Sequence, residues 1–218
     1  MRISFLHTLE GNKPIFEDAA KNLGLPIEQL HHEVRSDLRE AVQRAGTFSA
    51  ELMEETTACL LALAADADVV ILTCATLGPA ADKIEGSPIP IVRADAALAA
   101  TATKMGDKVI VLCAVESAIE PTKRLFAQHA SETATSIQVV LVEQVWALFT
   151  NSRLDECFAA IAAAADDAYA AGATVVAYAH PWMAPAVHLT RNGIQPLDSA
   201  HAVLRTAIQL TGGLSPGI

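Results

Sequence analysis

Residues Asp68–Thr73 read DVVILT, an apolar run with no polar face. Strand side chains alternate between the two faces of a sheet, so such a run has to be covered on both. Helices above and below a parallel sheet supply that cover. The rest of the chain follows the same pattern. Arg2–His7 reads as a first strand, Pro14–Leu23 as a helix and Leu30–Val34 as a second strand. Ser49–Ala65 reads as a long helix, with Leu52, Cys59, Leu60 and Leu63 near helical spacing. Pro88–Val92 is a short strand and Asp95–Lys104 a helix.

The pattern then restarts. Lys108–Cys113 is a strand, Glu120–His129 a helix and Ile137–Val142 a strand. Arg153–Ala171 is an Ala-rich helix with Gly172 placed to close it at C′. Thr174–Ala179 is a strand, Asp198–Leu210 the final helix, and Gly212–Ile218 reads as a loose tail. The two halves also share sequence. Ala64–Ala80 (AADADVVILTCATLGPA) and Ala170–Ala186 (AAGATVVAYAHPWMAPA) match at seven of 17 positions. Each runs from the end of a long helix through an apolar strand into a Pro-containing loop, and Cys74 falls opposite His180. The expectation is α/β, with two similar lobes of mostly parallel sheet flanked by helices. Both strand ends would then face a shared cleft, where open sheets bind ligands.

Composition narrows the function. The 218 residues hold 15 Lys and Arg against 25 Asp and Glu, a net charge of −10. That balance disfavours binding to nucleic acid, which needs basic surface, and to anionic membranes. An anionic ligand would need local positive features. Hydrophobic residues at 52% exclude disorder, and aromatics at 5% leave the core to Ala, Val, Leu and Ile. Cys59, Cys74, Cys113 and Cys157 are widely spaced, which is no disulfide framework. No signal peptide or membrane span is read from the chain, so the expected location is cytoplasmic. No HExxH, CxxC, GxGxxG, Walker loop or GxSxG elbow occurs, so neither a metal nor a nucleotide cofactor is expected.

Several strand ends carry groups able to do chemistry. Cys74 follows a buried strand, and Pro79 can open the next helix. Helix amides facing the thiol would favour the thiolate, which could remove a proton from carbon or attack a carbonyl. The other reading is a buried apolar cysteine. Cys59, Cys113 and Cys157 read as packing residues. His180, fixed before Pro181, could move a proton near neutral pH or serve only structure. His7, Thr8 and Asn12 close the first strand. Thr8 and Asn12 could hold a carboxylate with backbone N–H groups, or could be turn and cap residues at a helix start Asn12-Lys13-Pro14. Ser117 and Thr122 carry the same choice in the second half. Arg93 could reach an anion or pair with Asp95 or another carboxylate. His31 and His32, being adjacent, point to opposite sides.

These segments together resemble the aspartate/glutamate/hydantoin racemase superfamily. The resemblance rests on HTLEGN (His7–Asn12), ADVVILTCATLGPAAD (Ala67–Asp82), PIVRADAAL (Pro90–Leu98), VESAIEPT (Val115–Thr122) and ATVVAYAHPWMAPA (Ala173–Ala186). It covers nearly the whole chain. It implies two pseudo-twofold related α/β lobes with the active site between them, and a last helix returning to the first lobe. The implied boundaries are 1–97 with 198–218, and 98–197. It also implies catalysis without metal or pyridoxal phosphate. One cysteine per lobe would move a proton on opposite faces of a carbon next to a carboxylate. Cys74 matches the first cysteine and Thr76 the carboxylate-binding threonine after it. Thr8, Asn12 and Ser117 would join that pocket by loop position.

The sequence departs from this family where His180 occupies the place of the second cysteine. Cys74 and His180 could form an unlike two-base pair, since a thiolate beside an imidazolium is a favourable ion pair. Cys74 could act alone, as in decarboxylating relatives, or attack an alkene, as in maleate cis-trans isomerases. A non-catalytic protein that binds a small carboxylate is the remaining alternative. Pro181 and Trp182 suggest an apolar wall beside His180, though Trp182 could equally pack between lobes. The expected partner is a small-molecule carboxylate, and a homodimer is compatible with the Ala-rich helix.

Overall fold

The computed structural model describes residues 1–131 and 135–212. The chain divides into two compact units, Met1–Asp95 together with the chain from Val203 onward, and Ala96–Ala202. The expected Gly212–Ile218 tail is described only at Gly212, in a turn; 213–218 lie outside the described residues.

The first unit contains β1 (Ile3–His7), α1 (Asn12–Asn22), β2 (Leu30–Val34), α2 (Ser36–Ala45), α3 (Ala50–Ala64), β3 (Val69–Leu72), α4 (Gly78–Asp82) and β4 (Ile91–Arg93). Its four strands are parallel, in the order β2-β1-β3-β4. β3 is buried at every residue, as a run without a polar face requires. Leu6, Leu38, Leu60, Leu63, Val70, Leu72 and Leu77 pack into one core on this sheet. Ser49 caps α3, its Oγ accepting from Leu52 N–H at 3.4 Å. The helix α2 was not read from the sequence. It is strongly polar, and its buried face is Leu38 and Val42 alone, one helical turn apart among mostly charged and polar residues.

The chain continues through α5 (Ala94–Met105), β5 (Lys108–Cys113), α6 (Ile119–Ala130), β6 (Ser136–Leu141), α7 (Val145–Thr150), α8 (Leu154–Ala170), β7 (Val175–Tyr178), β8 (Leu197–Asp198) and α9 (Ser199–Leu210). The order β6-β5-β7-β8 repeats the order of the first sheet, again all parallel. Gly172 closes α8 as expected, at φ +88°. Its N–H donates to Tyr169 O and that of Ala173 to Ala168 O, the paired bonds of a Schellman motif. The first turn of α9 stays with the second unit, unlike the expected boundary at 198. The two-residue β8 pairs with β7, and Ala202 packs with Leu98, Val109, Val111 and Phe126. Asp198 Oδ1 accepts from His201 N–H at 2.9 Å and so terminates α9.

The two sheets end alike. Leu6 faces Leu72 in register, and Thr73 N–H donates to Leu6 O at 3.1 Å. Leu112 faces Tyr178, and Ala179 N–H donates to Leu112 O at 2.9 Å. On the outer side, Arg35 N–H closes onto His7 O at 2.8 Å and Val142 N–H onto Cys113 O at 2.7 Å. His7 and Cys113 are therefore equivalent positions, and so are Cys74 and His180. The repeat suggested by the sequence is a repeat of the backbone.

Arg93 braces the segment after Cys74. Its guanidinium grips Asp95 through Nε at 3.0 Å and Nη2 at 2.6 Å, and pairs with Asp82 at the end of α4. A Cβ on Gly78 would collide with that guanidinium. Two carboxylates hold the arginine in place, so the clash is not relieved by swinging it aside. Gly78→Ala is expected to lower unfolding free energy in urea by about 1–3 kcal/mol. In an Arg93→Met background the same change should be neutral or stabilising, because the backbone there is helical and alanine favours a helix. Equal losses in both backgrounds would refute the brace.

Candidate active site

The carboxyl end of the first sheet brings β1 and β3 side chains together. Cys74 is half-buried, two residues past β3, and precedes a single 3₁₀ turn over Ala75–Leu77. Its side chain makes no capping bond, and α4 beyond the turn is five residues long. The helix-terminal field expected at the thiol is therefore that of one tight turn. Pro79 lies in the first turn of α4, as expected.

Next to Cys74, Thr73 was not singled out by sequence. Its hydroxyl lies 2.9 Å from His7 Nδ1 and 3.2 Å from Leu6 O. His7 Nε2 in turn lies 2.9 Å from His32 Nδ1. A carbonyl only accepts, so a Thr73 hydroxyl donating to Leu6 O accepts from His7 Nδ1–H. His7 Nε2 then accepts from His32 Nδ1–H, and His32 Nε2 is left buried without a partner. Phe5 lies at 5.5 Å from the His7 ring and 4.7 Å from the His32 ring, stacked on both. Burial first, then His32 and Lys13, lowers His7 to about 3; burial lowers His32 too. His31 is exposed, so the adjacent histidines do face apart.

Thr8 and Asn12 are both buried here, while Thr76 is exposed in its 3₁₀ turn. Asn12 is not the cap its sequence suggested. α1 begins two residues before Pro14, Gly11 is the N-cap, and Asn12 Oδ1 is buried without a hydrogen-bond partner. A buried unpaired polar atom costs about 1–3 kcal/mol, which marks this carboxamide as unsatisfied by the protein alone. Arg93, by contrast, is occupied by Asp82 and Asp95, so the ion-pair alternative describes it.

The second sheet ends in Cys113, Ser117 and His180. Ser117 is exposed in a 3₁₀ turn. Thr122 does not cap α6: the N-cap is Ala118, and Thr122 lies inside the helix. His180 precedes the 3₁₀ stretch Pro181–Leu189 as Cys74 precedes its own turn. Their backbones nearly coincide, at φ −107°, ψ 113° for Cys74 and φ −114°, ψ 134° for His180. Trp182 is buried, stacked on Phe149 at 4.2 Å, and lies parallel to the His180 ring at 5.7 Å. That packing lies within the second unit. Burial pushes His180 down to about 4. That shift favours the uncharged imidazole at neutral pH. Cys113, read as packing, is buried, yet its Sγ lies 3.5 Å from His180 Nε2. Its signal was the equivalence of strand ends that also relates it to His7. Cys59 contacts Arg35, and Cys157 donates to Val145 O at 3.3 Å.

Among the described residues, no group of three or more His, Cys, Asp or Glu could hold a metal ion. Among them also, no helix is long and apolar enough to cross a membrane.

His7 gives a pH signature. The unfolded ring binds a proton near 6.5, and the folded ring resists it down to about 3. Its contribution is complete above 6.5 and declines as pH falls through that window, by up to about 1.4 kcal/mol per pH unit. His32 and His180 act in the same direction. The urea midpoint should fall between pH 6.5 and 4, and His7→Gln should flatten that slope. An unchanged slope in the variant would show that His7 is not held neutral.

No protein-family model and no curated protein matches the sequence. Solved structures do match its fold. Aspartate racemase from Picrophilus torridus superposes with a TM-score of 0.73 at 9% identity, over 97% of this chain and 94% of that one. Allantoin racemase from Klebsiella pneumoniae gives 0.69 at 14% identity, over 100% and 90%. A glycine-to-cysteine variant of arylmalonate decarboxylase gives 0.54 at 17% identity, over 100% and 97%. Two four-stranded parallel sheets of one strand order, flanked by helices, are the α/β fold that this chain shares with these racemase structures.

Proposed function

We propose that the protein is a cofactor-independent racemase or isomerase acting at a carbon next to a carboxylate or carbonyl of a small molecule. The observation that carries this reading is the equivalent placement of Cys74 and His180. Each is the second residue past an inner strand, with nearly the same backbone angles, before a 3₁₀ turn. A proton-transfer enzyme that inverts a centre needs one acid and one base on opposite faces of the carbon. In the resting state His180 is neutral. Its free ring nitrogen takes the carbon-bound proton, and the electron pair delocalises into the adjacent carbonyl. The Cys74 S–H returns a proton to the other face, leaving imidazolium and thiolate. The reverse turnover resets both groups.

Thr8, Asn12, Thr76 and Ser117 orient the substrate carboxylate in this reading. The unsatisfied Asn12 carboxamide supports its part. Arg93 is left out, because its charge is already matched. The relatives of this fold act on aspartate and on allantoin, which makes amino acids and cyclic ureides the first classes to test.

Incubation in deuterated water with chiral amino acids, hydroxy acids, hydantoins and substituted malonates, followed by proton NMR, tests the reading. Cys74→Ala should reduce exchange at the carbon next to the carboxylate by about 10²–10⁴-fold. His180→Gln should abolish inversion as well. A second reading, decarboxylation by Cys74 alone, is favoured by the match to the arylmalonate decarboxylase variant. It would show as carbon dioxide loss that survives His180→Gln. Ligand-induced stabilisation without exchange across the panel would indicate a binding protein instead.

A further inference from the structure

Cys113 ends β5, and His180 follows its neighbour β7. Cys113 Sγ lies 3.3 Å from the Val115 carbonyl oxygen and 3.5 Å from His180 Nε2. A carbonyl oxygen only accepts hydrogen bonds, so the single thiol proton belongs on the Val115 side. The sulfur then presents lone pairs to Nε2, and the proton in that contact has to come from the ring. A neutral imidazole carries one N–H. With it on Nε2, Nδ1 is bare. Among the described residues no hydrogen bond reaches Nδ1, and His180 keeps part of its surface open.

We propose that Cys113 is a positioning residue for His180: anchored on the Val115 carbonyl, its sulfur holds the Nε2–H tautomer and presents Nδ1 as the proton acceptor. The proposal rests on the reading in which His180 meets the substrate. Cys113 itself is fully buried, and burial pushes its thiol up, so it works through the imidazole rather than as a nucleophile. Trp182, parallel to the ring, restrains its tilt. The pairing is not a by-product of the fold. At the equivalent strand end of the first unit His7 bonds Thr73 and His32, and no bond joins it to Cys74. Orientation of a catalytic imidazole through its second nitrogen is a known means of setting which nitrogen reacts.

The test needs no substrate. Protein labelled with ¹⁵N at histidine is observed by long-range proton–nitrogen correlation at pH 7, with His180→Gln assigning the signal. The expected wild-type pattern is a single neutral tautomer with the proton on Nε2. Cys113→Val, close in volume, should lose it and give a mixture of tautomers. Cys113→Ser, whose hydroxyl can bond both Val115 O and Nε2, should restore it. Far-UV circular dichroism and thermal unfolding check that each variant is folded. A wild-type proton on Nδ1, an imidazolium, or an unchanged pattern in folded Cys113→Val overturns the proposal. Deuterium exchange with unaltered tautomer in Cys113→Val would refute this role and leave the functional reading standing. The expected tautomer pattern without any exchange would leave the geometry standing and refute the functional reading.

Discussion

The final rung of each inner parallel ladder governs the arrangement of the candidate site. Thr73 N–H on Leu6 O and Ala179 N–H on Leu112 O are the last sheet bonds before the chain turns away. Beyond them a backbone has no strand partner, and each chain resolves this with a tight 3₁₀ turn. The residue entering that turn is Cys74 in one unit and His180 in the other. Their near-identical backbone angles follow from this shared exit. Two different side chains thereby occupy one geometric role.

The surroundings then make the two positions chemically different. His180 packs against Trp182 and Cys113, and burial disfavours its charged form. The first unit places its buried histidine on β1 instead. His7 is locked to Thr73 and His32 between aromatic rings, where it stiffens the sheet end. Cysteine and histidine thus exchange places between the units: His7 is equivalent to Cys113, and Cys74 to His180. The exchange leaves one thiol and one imidazole at the turn positions, an asymmetric pair on a symmetric backbone plan.

Much of this was legible in the sequence. Runs such as DVVILT have no polar face, and that alone requires a doubly covered sheet. The helix stop at Gly172 was legible because a left-handed C′ residue is most readily glycine. Cys74 and His180 could be matched because apolar strand and Pro-containing loop recur around them. The polar helix α2, whose buried face is only Leu38 and Val42, escaped, as did the short α4 and α7 and the two-residue β8, which are too brief to show a period.

Local sequence, then, determined the parallel α/β class, the internal repeat and the two residues entering the equivalent turns. Each follows from hydrophobic periodicity or backbone stereochemistry, which act over a few residues. Tertiary structure alone decided that Arg93 is spent on Asp82 and Asp95, that Asn12 is left unsatisfied instead of capping, and that burial disfavours a charged His180. It also decided that Cys113, unremarkable in sequence, touches His180. Those outcomes depend on hydrogen bonds and desolvation between groups up to dozens of residues apart, and no local pattern encodes such distances.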